Sequence, residues 1–450
     1  METKRRRMRL LIVSYSYHPA LNPRAFRWTE LAEYWAAAGD TVDVIAGWSP
    51  GSSRTETRNG VRVYRVGGKL MERLRAWLTG RSVRAPDAAS GNVRSGTANS
   101  APRTAGSIGV VAKWLHDKTW KKLYWPDYVC FWYFAAVRQA ERLIAERRYD
   151  ALVTVSLPFT SHLVGRRIKK KSPGLAWLVD TGDPFCFLDA TPHNNLRLYK
   201  RLNYRAERAV FTDSDAVAVT TEATRRIYQK LFPEAAGKIE VIAPLAPRQE
   251  PNARERVFTD DNGLRLVFVG TLYRTIRDPS PLLAAFDRLL QTELGSRLEL
   301  HFFGGNNDCE TYFDRYADLM GKKIFLHGIV PRARALAAIQ EAAALINIGN
   351  LTPYQLPSKL LEYMVSGRPI INFVSGPDDS SLGLLAAYPR SLNVPRDAPV
   401  EKLAADIHAF LRQPAPPRVG NSLDTLEQFR CPAIAGRYRA LMKNSPRRDN

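Results

Sequence analysis

What most restricts the fold of this chain is a rhythm: short aliphatic runs alternate with amphipathic segments of helical period, and the alternation starts twice. Residues 9–15 are an apolar run, 24–38 repeat their apolar side chains at helical spacing and stop at Gly39, and 41–46 are aliphatic again. A strand, helix and strand in this order build a parallel sheet with helices packed on its faces. The rhythm continues through 60–66, 138–146, 151–156, 176–180 and 216–220. After a polar, proline-containing stretch at 244–262, a second series runs strand, helix, strand, helix, strand over 264–270, 281–291, 298–304, 334–343 and 344–348. The expectation is α/β: two Rossmann-like, doubly wound parallel-sheet domains facing across a cleft, the first over 1–250 and the second over 251–415. The tail, 416–450, carries a helical pattern from 422 to 443.

A chain of 450 residues is long enough for two such cores. No apolar run approaches the roughly 18 residues of a bilayer span; the longest, 129–137, reads as a buried helix. The basic N-terminus, Lys4 to Arg7, precedes an aliphatic run as a secretory signal does, but Ser14, Ser16 and His18 interrupt it early, so the run reads as a first core strand. Residues 79–107 are rich in Ala, Ser, Gly, Arg and Asn without apolar periodicity and read as a mobile basic insertion.

Charge narrows the partners. Lys plus Arg number 66 against 44 Asp plus Glu, a net +22, which draws anions: nucleic acid, anionic lipid or sugar nucleotides. Zinc-finger spacing, an RNP-like aromatic signature and a helix-turn-helix pattern are all missing from the sequence, so no nucleic-acid partner is expected. Leu70, Leu74, Trp77 and Leu78 share one helical face flanked by Lys69, Arg73, Arg75 and Arg81; beyond the insertion, Val111, Trp114 and Leu115 interleave with Lys113, Lys118, Lys121 and Lys122. Such stretches suit an anionic membrane surface, or else pack on their own domain with solvated lysines. Arg166, Arg167, Lys169, Lys170 and Lys171 either extend that face or close a helix. Cys130, Cys186, Cys309 and Cys431 are widely spaced, as reduced thiols of a cytoplasmic protein are, and form no metal quartet.

The densest motif is Gln355-Leu356-Pro357-Ser358-Lys359-Leu360-Leu361-Glu362-Tyr363-Met364, followed by Gly367-Arg368-Pro369-Ile370-Ile371. Ser358 is a good N-cap with Lys359 beside it, which turns free backbone N–H groups and a positive helix end toward an anion such as a diphosphate. Glu362 lies where its two oxygens can accept from a pair of ribose hydroxyls. The plainer reading is a capped helix with an exposed glutamate.

This segment resembles the donor-binding signature of GT-B fold glycosyltransferases, in particular glycosyltransferase family 4 and its bacterial cell-surface sugar relatives. The resemblance implies that Glu362 holds the donor ribose and that Pro357, Ser358 and Lys359 lie near the phosphates. Many members carry a second glutamate eight positions earlier; here that position is Tyr354. The resemblance also implies a diphosphate clamp after Gly270, where Arg274 and Arg277 follow and Thr271 stands at a position commonly basic. Arg277 is favoured over Arg274, and either can equally be a surface arginine. His327 and Gly328 resemble the segment whose backbone lies against the base, with Asn306 and Asn307 as a polar rim on the preceding strand.

In the first domain, 158–165 resembles a family turn whose histidine, here His162, reaches the donor sugar. Residues 180–185 resemble a motif whose aspartate, here Asp183, binds acceptor hydroxyls or acts as a base; an Asp-Pro turn is as often architectural. Asn22 and Arg24 match a region that approaches the phosphates or the acceptor. Asp213 and Asp215 echo a metal-binding pair of a different fold but precede a strand, which suits a turn; no metal is expected. The implied function is transfer of a hexose from a nucleotide-diphosphate sugar, UDP- or GDP-linked and used as substrate rather than cofactor, to a lipid-linked or cell-surface glycan. Retention at the anomeric carbon is implied, at the inner face of the membrane in the cytoplasm. Two alternatives remain: a nucleotide-sugar 2-epimerase of the same fold, and an inactive nucleotide-binding scaffold.

Overall fold

The computed structural model describes residues 6–20, 22–49, 51–68, 123–189, 192–247, 256–258, 262–352, 354, 356, 359–386, 388–413 and 424–444. It divides into two compact units, Met1–Val219 with Gln229–Glu240 and Tyr438–Asn450, and Thr220–Tyr228 with Val241–Arg437. The expected insertion at 79–107 and both of its amphipathic flanks lie outside the described residues.

In the first unit eight strands, β1 (Arg9–Val13), β2 (Thr41–Gly47), β3 (Thr55–Arg58), β4 (Val61–Val66), β5 (Ala151–Val155), β6 (Ala176–Asp180), β7 (Ala216–Val219) and β8 (Ile239–Val241), form one sheet in the order β3-β4-β2-β1-β5-β6-β7-β8. β1 pairs in parallel with β2 on one side and β5 on the other, so the chain winds outward in both directions from the centre. Leu10 to Val13 are wholly buried, as a strand covered on both faces requires. The antiparallel pair β3–β4 was not expected. Its turn, Asn59-Gly60, has φ of 45° and 81°, the left-handed pair that a two-residue hairpin demands.

Helices α1 (Pro23–Ala37), α2 (Trp132–Glu146), α3 (Thr160–Lys171), α4 (Leu196–Asp213) and α5 (Glu222–Leu231) connect these strands, α5 belonging to the second unit up to Tyr228. α1 starts where Asn22 Oδ1 accepts from Ala25 N at 2.9 Å and Pro23 fills the first turn. α2 corrects the reading of 129–137 as a buried helix. Val129, Trp132 and Ala136 are inside, whereas Phe131 and Phe134 are 49% and 66% exposed, because the helix presents only one face to the sheet.

The second unit repeats the plan. Strands β9 (Leu264–Val269), β10 (Leu298–Phe303), β11 (Ile324–Leu326), β12 (Ala344–Ile348), β13 (Ile370–Val374) and β14 (Ser391–Pro395) lie in the order β11-β10-β9-β12-β13-β14, all parallel. Helices α6 (Ser280–Leu289), α7 (Arg332–Glu341), α8 (Leu360–Ser366), α9 (Ser380–Leu385) and α10 (Val400–Arg412) cover them, and α11 (Asp424–Glu427) and α12 (Cys431–Asn444) follow. Leu266, Phe268 and Phe302 pack on one side of this sheet and Val267, Val269 and Phe303 on the other, the alternation of a strand with two apolar faces. A polar seam crosses the apolar interior: Asn347 donates to Asn372 at 2.7 Å, and Asn372 donates to Asn393 at 2.8 Å and Ser381 at 2.9 Å. These asparagines stand opposite one another in register on β12, β13 and β14, so each amide finds the next.

From Tyr438 onward α12 belongs to the first unit. Tyr438 is fully buried against Trp28 and Trp35, with ring centroids 5.1 and 6.4 Å away, and Arg439 pairs with Asp40. Among the described residues, no helix is long and apolar enough to cross a membrane.

Candidate functional site

In the first unit the polar groups gather at the carboxyl ends of β5 and β6, where open α/β sheets receive ligands. Asp180, the last residue of β6, is 1% exposed and accepts three hydrogen bonds. Arg24 Nη1 and Trp28 Nε1, one turn apart on α1, donate to Oδ2 at 2.9 and 2.8 Å, and Tyr438 Oη donates to Oδ1 at 2.6 Å. A carboxylate so enclosed is a fixed anchor rather than a base. It holds the Arg24 guanidinium flat against Gly182, where a Cβ would come within 1.5 Å of Nη2. No larger residue fits beneath that arginine.

His162, in the first turn of α3, is 1% exposed, and its Nδ1 lies 2.8 Å from Thr154 Oγ1. Trp177 Nε1 donates to that oxygen at 3.0 Å, and the threonine hydroxyl still has its own proton to donate to Nδ1, the pairing in which the imidazole proton sits on Nε2. Burial, opposed by Asp180 and assisted by Arg24, holds the His162 pKa down at about 3, so the ring is neutral. Among the described residues, buried His162 Nε2, Arg24 Nη2, Ser161 Oγ and Thr181 Oγ1 find no hydrogen-bond partner. Buried polar groups are nearly always paired, so four orphans on neighbouring turns describe a cradle for a hydroxyl-rich or anionic ligand.

Asp183 is half-buried in the turn beyond. That turn is pinned from below by Glu207, which accepts from Phe185 N at 3.0 Å and Cys186 N at 2.8 Å, while Phe185 stacks on Phe159 at 3.9 Å. Asn22 spends its amide oxygen on the α1 cap. Asp213 and Asp215 sit as a turn does, paired with Arg166 and Lys169 at 2.6 Å each, and Asp215 also accepts from Trp177 N at 2.7 Å. Among the described residues no three His, Cys, Asp or Glu side chains gather as a metal site would need.

The second unit assembles its own cluster beyond β9. Arg277 is pressed toward Gly270, with Nη1 3.5 Å from where a Cβ would sit, and Nε donates to Asn350 Oδ1 at 2.7 Å. Burial lowers its pKa, and among the described residues no carboxylate pairs with it. Arg274 turns the other way, donating to Asp308 O and Thr311 Oγ1 at 3.2 and 3.0 Å across the Tyr312 ring. Gly304 stands against Gly270 O with φ of 140°, a conformation and a closeness that only glycine allows.

Glu362 lies on α8, and Tyr363 beside it locks that helix to β9. The Tyr363 hydroxyl accepts from Val269 N at 2.7 Å and donates to Val269 O at 3.3 Å, immediately before Gly270. Glu362 itself is held by Arg332 at 3.1 Å and Lys359 at 2.9 Å. Pro357 and Ser358 lie outside the described residues. His327 stacks on Phe303 at 4.1 Å and sits 3.0 Å from His301 Nδ1; Gly328, with φ of 66°, accepts from Gly304 N at 2.8 Å. Asn307 donates to Leu272 O at 3.2 Å, inside the turn that carries Thr271.

The structure thus brings Arg24 and His162 to one cradle, with Asp183 on the turn that follows Asp180. It brings Gly270, Arg277 and Glu362 to the rim of β9, and turns Arg274 aside. Four residues of these sites were not foreseen. Asp180 and Tyr363 lie within motifs already quoted, and Asn350 follows the small residue Gly349, but nothing local marks Tyr438, which is 258 positions from its partner.

Residues 25–244 match the family described as glycosyl transferase 4-like domain, and residues 263–412 match glycosyl transferases group 1. Among solved structures, sucrose-phosphate synthase from Thermosynechococcus elongatus is similar at TM-score 0.62 and 17% identity, covering 97% of this chain and 98% of that one. α,α-Trehalose 6-phosphate synthase from Burkholderia multivorans gives 0.60 at 11% identity over 97% and 98%. Anabaena HepE in complex with UDP gives 0.58 at 10% identity over 97% and 100%. No curated protein matches the sequence.

Proposed function

The chain is a glycosyltransferase of the GT-B fold, and from that premise we propose that it moves a hexose, with retention, from a nucleotide-diphosphate sugar to a lipid-linked or cell-surface glycan acceptor at the inner face of a membrane. One observation carries the donor half. Among the described residues no carboxylate pairs with the Arg277 guanidinium, which is partly desolvated and set against glycine backbone at the carboxyl end of a central strand. A cation in that state is completed by an anion, and a diphosphate brings charge without needing room for a side chain at Gly270. Lys359 adds positive charge near the start of α8, and Glu362 accepts the ribose hydroxyls on lone pairs that Arg332 and Lys359 leave open. With the leaving diphosphate neutralised by side chains, the donor is a substrate and no separate cofactor or metal is invoked. UDP, bound in the HepE structure, is the first nucleotide to try.

In the cradle of the first unit, neutral His162 with its proton on Nε2 is a hydrogen-bond donor suited to a sugar hydroxyl. It is too weakly basic at neutral pH to take the acceptor's proton. Asp180 is consumed by three donors. Retention is the reading in which the departing phosphate takes that proton on the same face; the inverting alternative assigns it to Asp183.

The acceptor half is supported by the outer face of the first unit. Leu198 and Leu202 of α4 are 57% and 42% exposed among Arg197, Arg201 and Arg205, which are exposed too. Tyr199 Oη donates to Leu123 O at 2.6 Å, so the exposed Leu123 continues that face. Apolar side chains interspersed with cations favour an anionic lipid surface. Four free thiols agree with a cytoplasmic setting.

The test is nucleotide release from a panel of uridine and guanosine diphosphate sugars, with and without membrane lipid extract, for the wild type and Glu362→Ala. Release from one donor that rises with lipid and collapses in the variant is expected. Binding of nucleotide without release from any donor would establish the inactive scaffold instead, and interconversion of the free donor's sugar would establish the epimerase.

A further inference from the structure

The polar seam of the second unit does not end inside the sheet. Asn347 donates to Asn372 Oδ1, and Asn372 spends one N–H on Asn393 and the other on Ser381 Oγ. The Ser381 hydroxyl in turn donates to Asp379 Oδ1 at 2.6 Å, so these hydrogen bonds run in one direction, from β12 through β13 to a carboxylate. Ser381 N is a second donor to Oδ1, at 2.9 Å. On the other oxygen, Ser375 N donates at 2.8 Å and Ser375 Oγ stands at 3.0 Å. Asp379 and Ser381 are buried, and each of these four partners of the carboxylate is a donor.

The carboxylate rests on the end of β12. A Cβ on Gly349 would run into Asp379 Oδ2 and into Phe373 O, so the two segments meet backbone to side chain with no room between them. Gly349 N donates to Phe373 O at 2.9 Å. Ser375 Oγ donates to Asn350 O at 2.7 Å and shares that proton with Asp379. Leu351 N donates to Ile276 O at 3.0 Å, and Asn350 Oδ1 accepts from Arg277 Nε at 2.7 Å. Three consecutive residues are thus pinned, and the middle one carries the oxygen that holds Arg277. A guanidinium is planar, so fixing Nε against one acceptor fixes where its two Nη atoms point.

We propose that Asp379 and Ser375 are positioning residues for the sugar nucleotide: they lock Gly349 and Asn350 in the place from which Asn350 aims the Arg277 guanidinium at the diphosphate. The inference rests on the reading of Arg277 as the diphosphate clamp and adds what orients it. Asparagine at 379 keeps the shape of the side chain but turns an amide N–H2 toward one pair of donors, which opens the lock without leaving a cavity. Alanine at 375 removes only the hydroxyl that ties Asn350 O to the carboxylate.

The test is isothermal titration of the full chain with UDP and UMP, and with GDP and GMP, for the wild type, Ser375→Ala, Ser375→Thr, Asp379→Asn, Arg277→Met and the double variant Ser375→Ala/Arg277→Met. The quantity read is the preference for the diphosphate over the monophosphate of the base that binds. Arg277→Met is expected to remove most of that preference. Ser375→Ala and Asp379→Asn are each expected to lower it about fivefold or more while monophosphate affinity stays the same, and Ser375→Thr, which keeps the hydroxyl, to preserve it. In the Arg277→Met background Ser375→Ala is expected to change nothing further, because residues that act through one group are not additive. A purely structural role would lower both affinities together or neither. If Arg277→Met removes the preference and Ser375→Ala leaves it intact, or lowers it by the same factor in both backgrounds, the positioning role is overturned and the clamp stands. If Arg277→Met itself leaves the preference unchanged, the clamp reading falls and this proposal with it. Should Asp379→Asn fail to fold, Ser375→Ala decides.

Discussion

Arg277 shows how much the environment of a single residue decides. The sequence offers two arginines three positions apart after Gly270, and side-chain type does not separate them. The structure does: Arg274 is exposed and hydrogen-bonded over the Tyr312 ring, whereas Arg277 is half-buried, with the neutral Asn350 as the close partner of Nε. Desolvating an unpaired cation destabilises the ligand-free protein and strengthens its pull on an arriving anion. Arg277→Met is therefore expected to lower kcat/KM about a hundredfold, roughly 2.7 kcal/mol of transition-state stabilisation. The same change should leave the thermal midpoint of the nucleotide-free protein unchanged or raised, and abolish the upward shift that nucleotide produces. Arg274→Met should cost only a few-fold. Thermal scans with and without UDP and GDP, beside steady-state kinetics, check both, and equal losses from the two variants would refute the assignment.

At the scale of elements, two tyrosines tie helices to the strand ends that carry the sites. Tyr363 bonds both the N–H and the C=O of Val269, fixing α8 and hence Glu362 beside Gly270. Tyr438 donates a hydrogen bond to Asp180, so α12 braces the carboxylate that orients Arg24. Tyr438→Phe keeps the ring against Trp28 and removes only the hydroxyl. The buried Asp180 then loses one of three donors and Arg27 Nη2, which donates to the same hydroxyl at 2.7 Å, loses that acceptor, an expected cost of about 1–3 kcal/mol in stability by denaturant titration. Because Arg24 is loosened rather than removed, KM for the acceptor is expected to rise more than kcat falls; a loss confined to stability would mean that the clamp is structural only. Legibility at this scale follows locality. The βα alternation was readable because each strand and helix carries its own period, and Asn59-Gly60 is a hairpin signal that a fuller reading would have used to find β3. α2 runs unbroken from Trp132 to Glu146 where the sequence reads as separate pieces over 129–137 and 138–146, because its first turn is aromatic and half outside, which blurs the apolar stripe. The partnership of Tyr438 with Asp180 has no local signature, since it exists only once α12 packs on the first unit.

Across the whole molecule, buried histidines make each unit sensitive to acid by the same mechanism. His162 lies in the first unit and His301 in the second, and burial lowers their pKa values to about 3 and about 4. Thr154 and Asp180 surround the former; Glu299, His327 and Arg265 face the latter. An unfolded histidine takes up its proton near pH 6.5, so between that pH and the folded value the unfolded state binds more protons than the native one. Stability must then fall as pH falls from about 6.5 toward 4, with a slope of up to about 1.4 kcal/mol per pH unit for each histidine. Asp127, whose pKa burial raises, acts in the opposite sense, because its native carboxyl holds a proton that the unfolded one releases above pH 3.8. A comparison of wild type with His162→Asn cancels that term. Urea titrations across pH 7 to 4.5, followed by probes in each unit, are expected to show both units losing stability in the wild type, and the first unit losing its pH dependence in part in the variant while the second keeps it. Unchanged slopes in the variant would mean that His162 takes up its proton in the native state as readily as in the unfolded one, and would overturn its assignment as a neutral donor on Nε2.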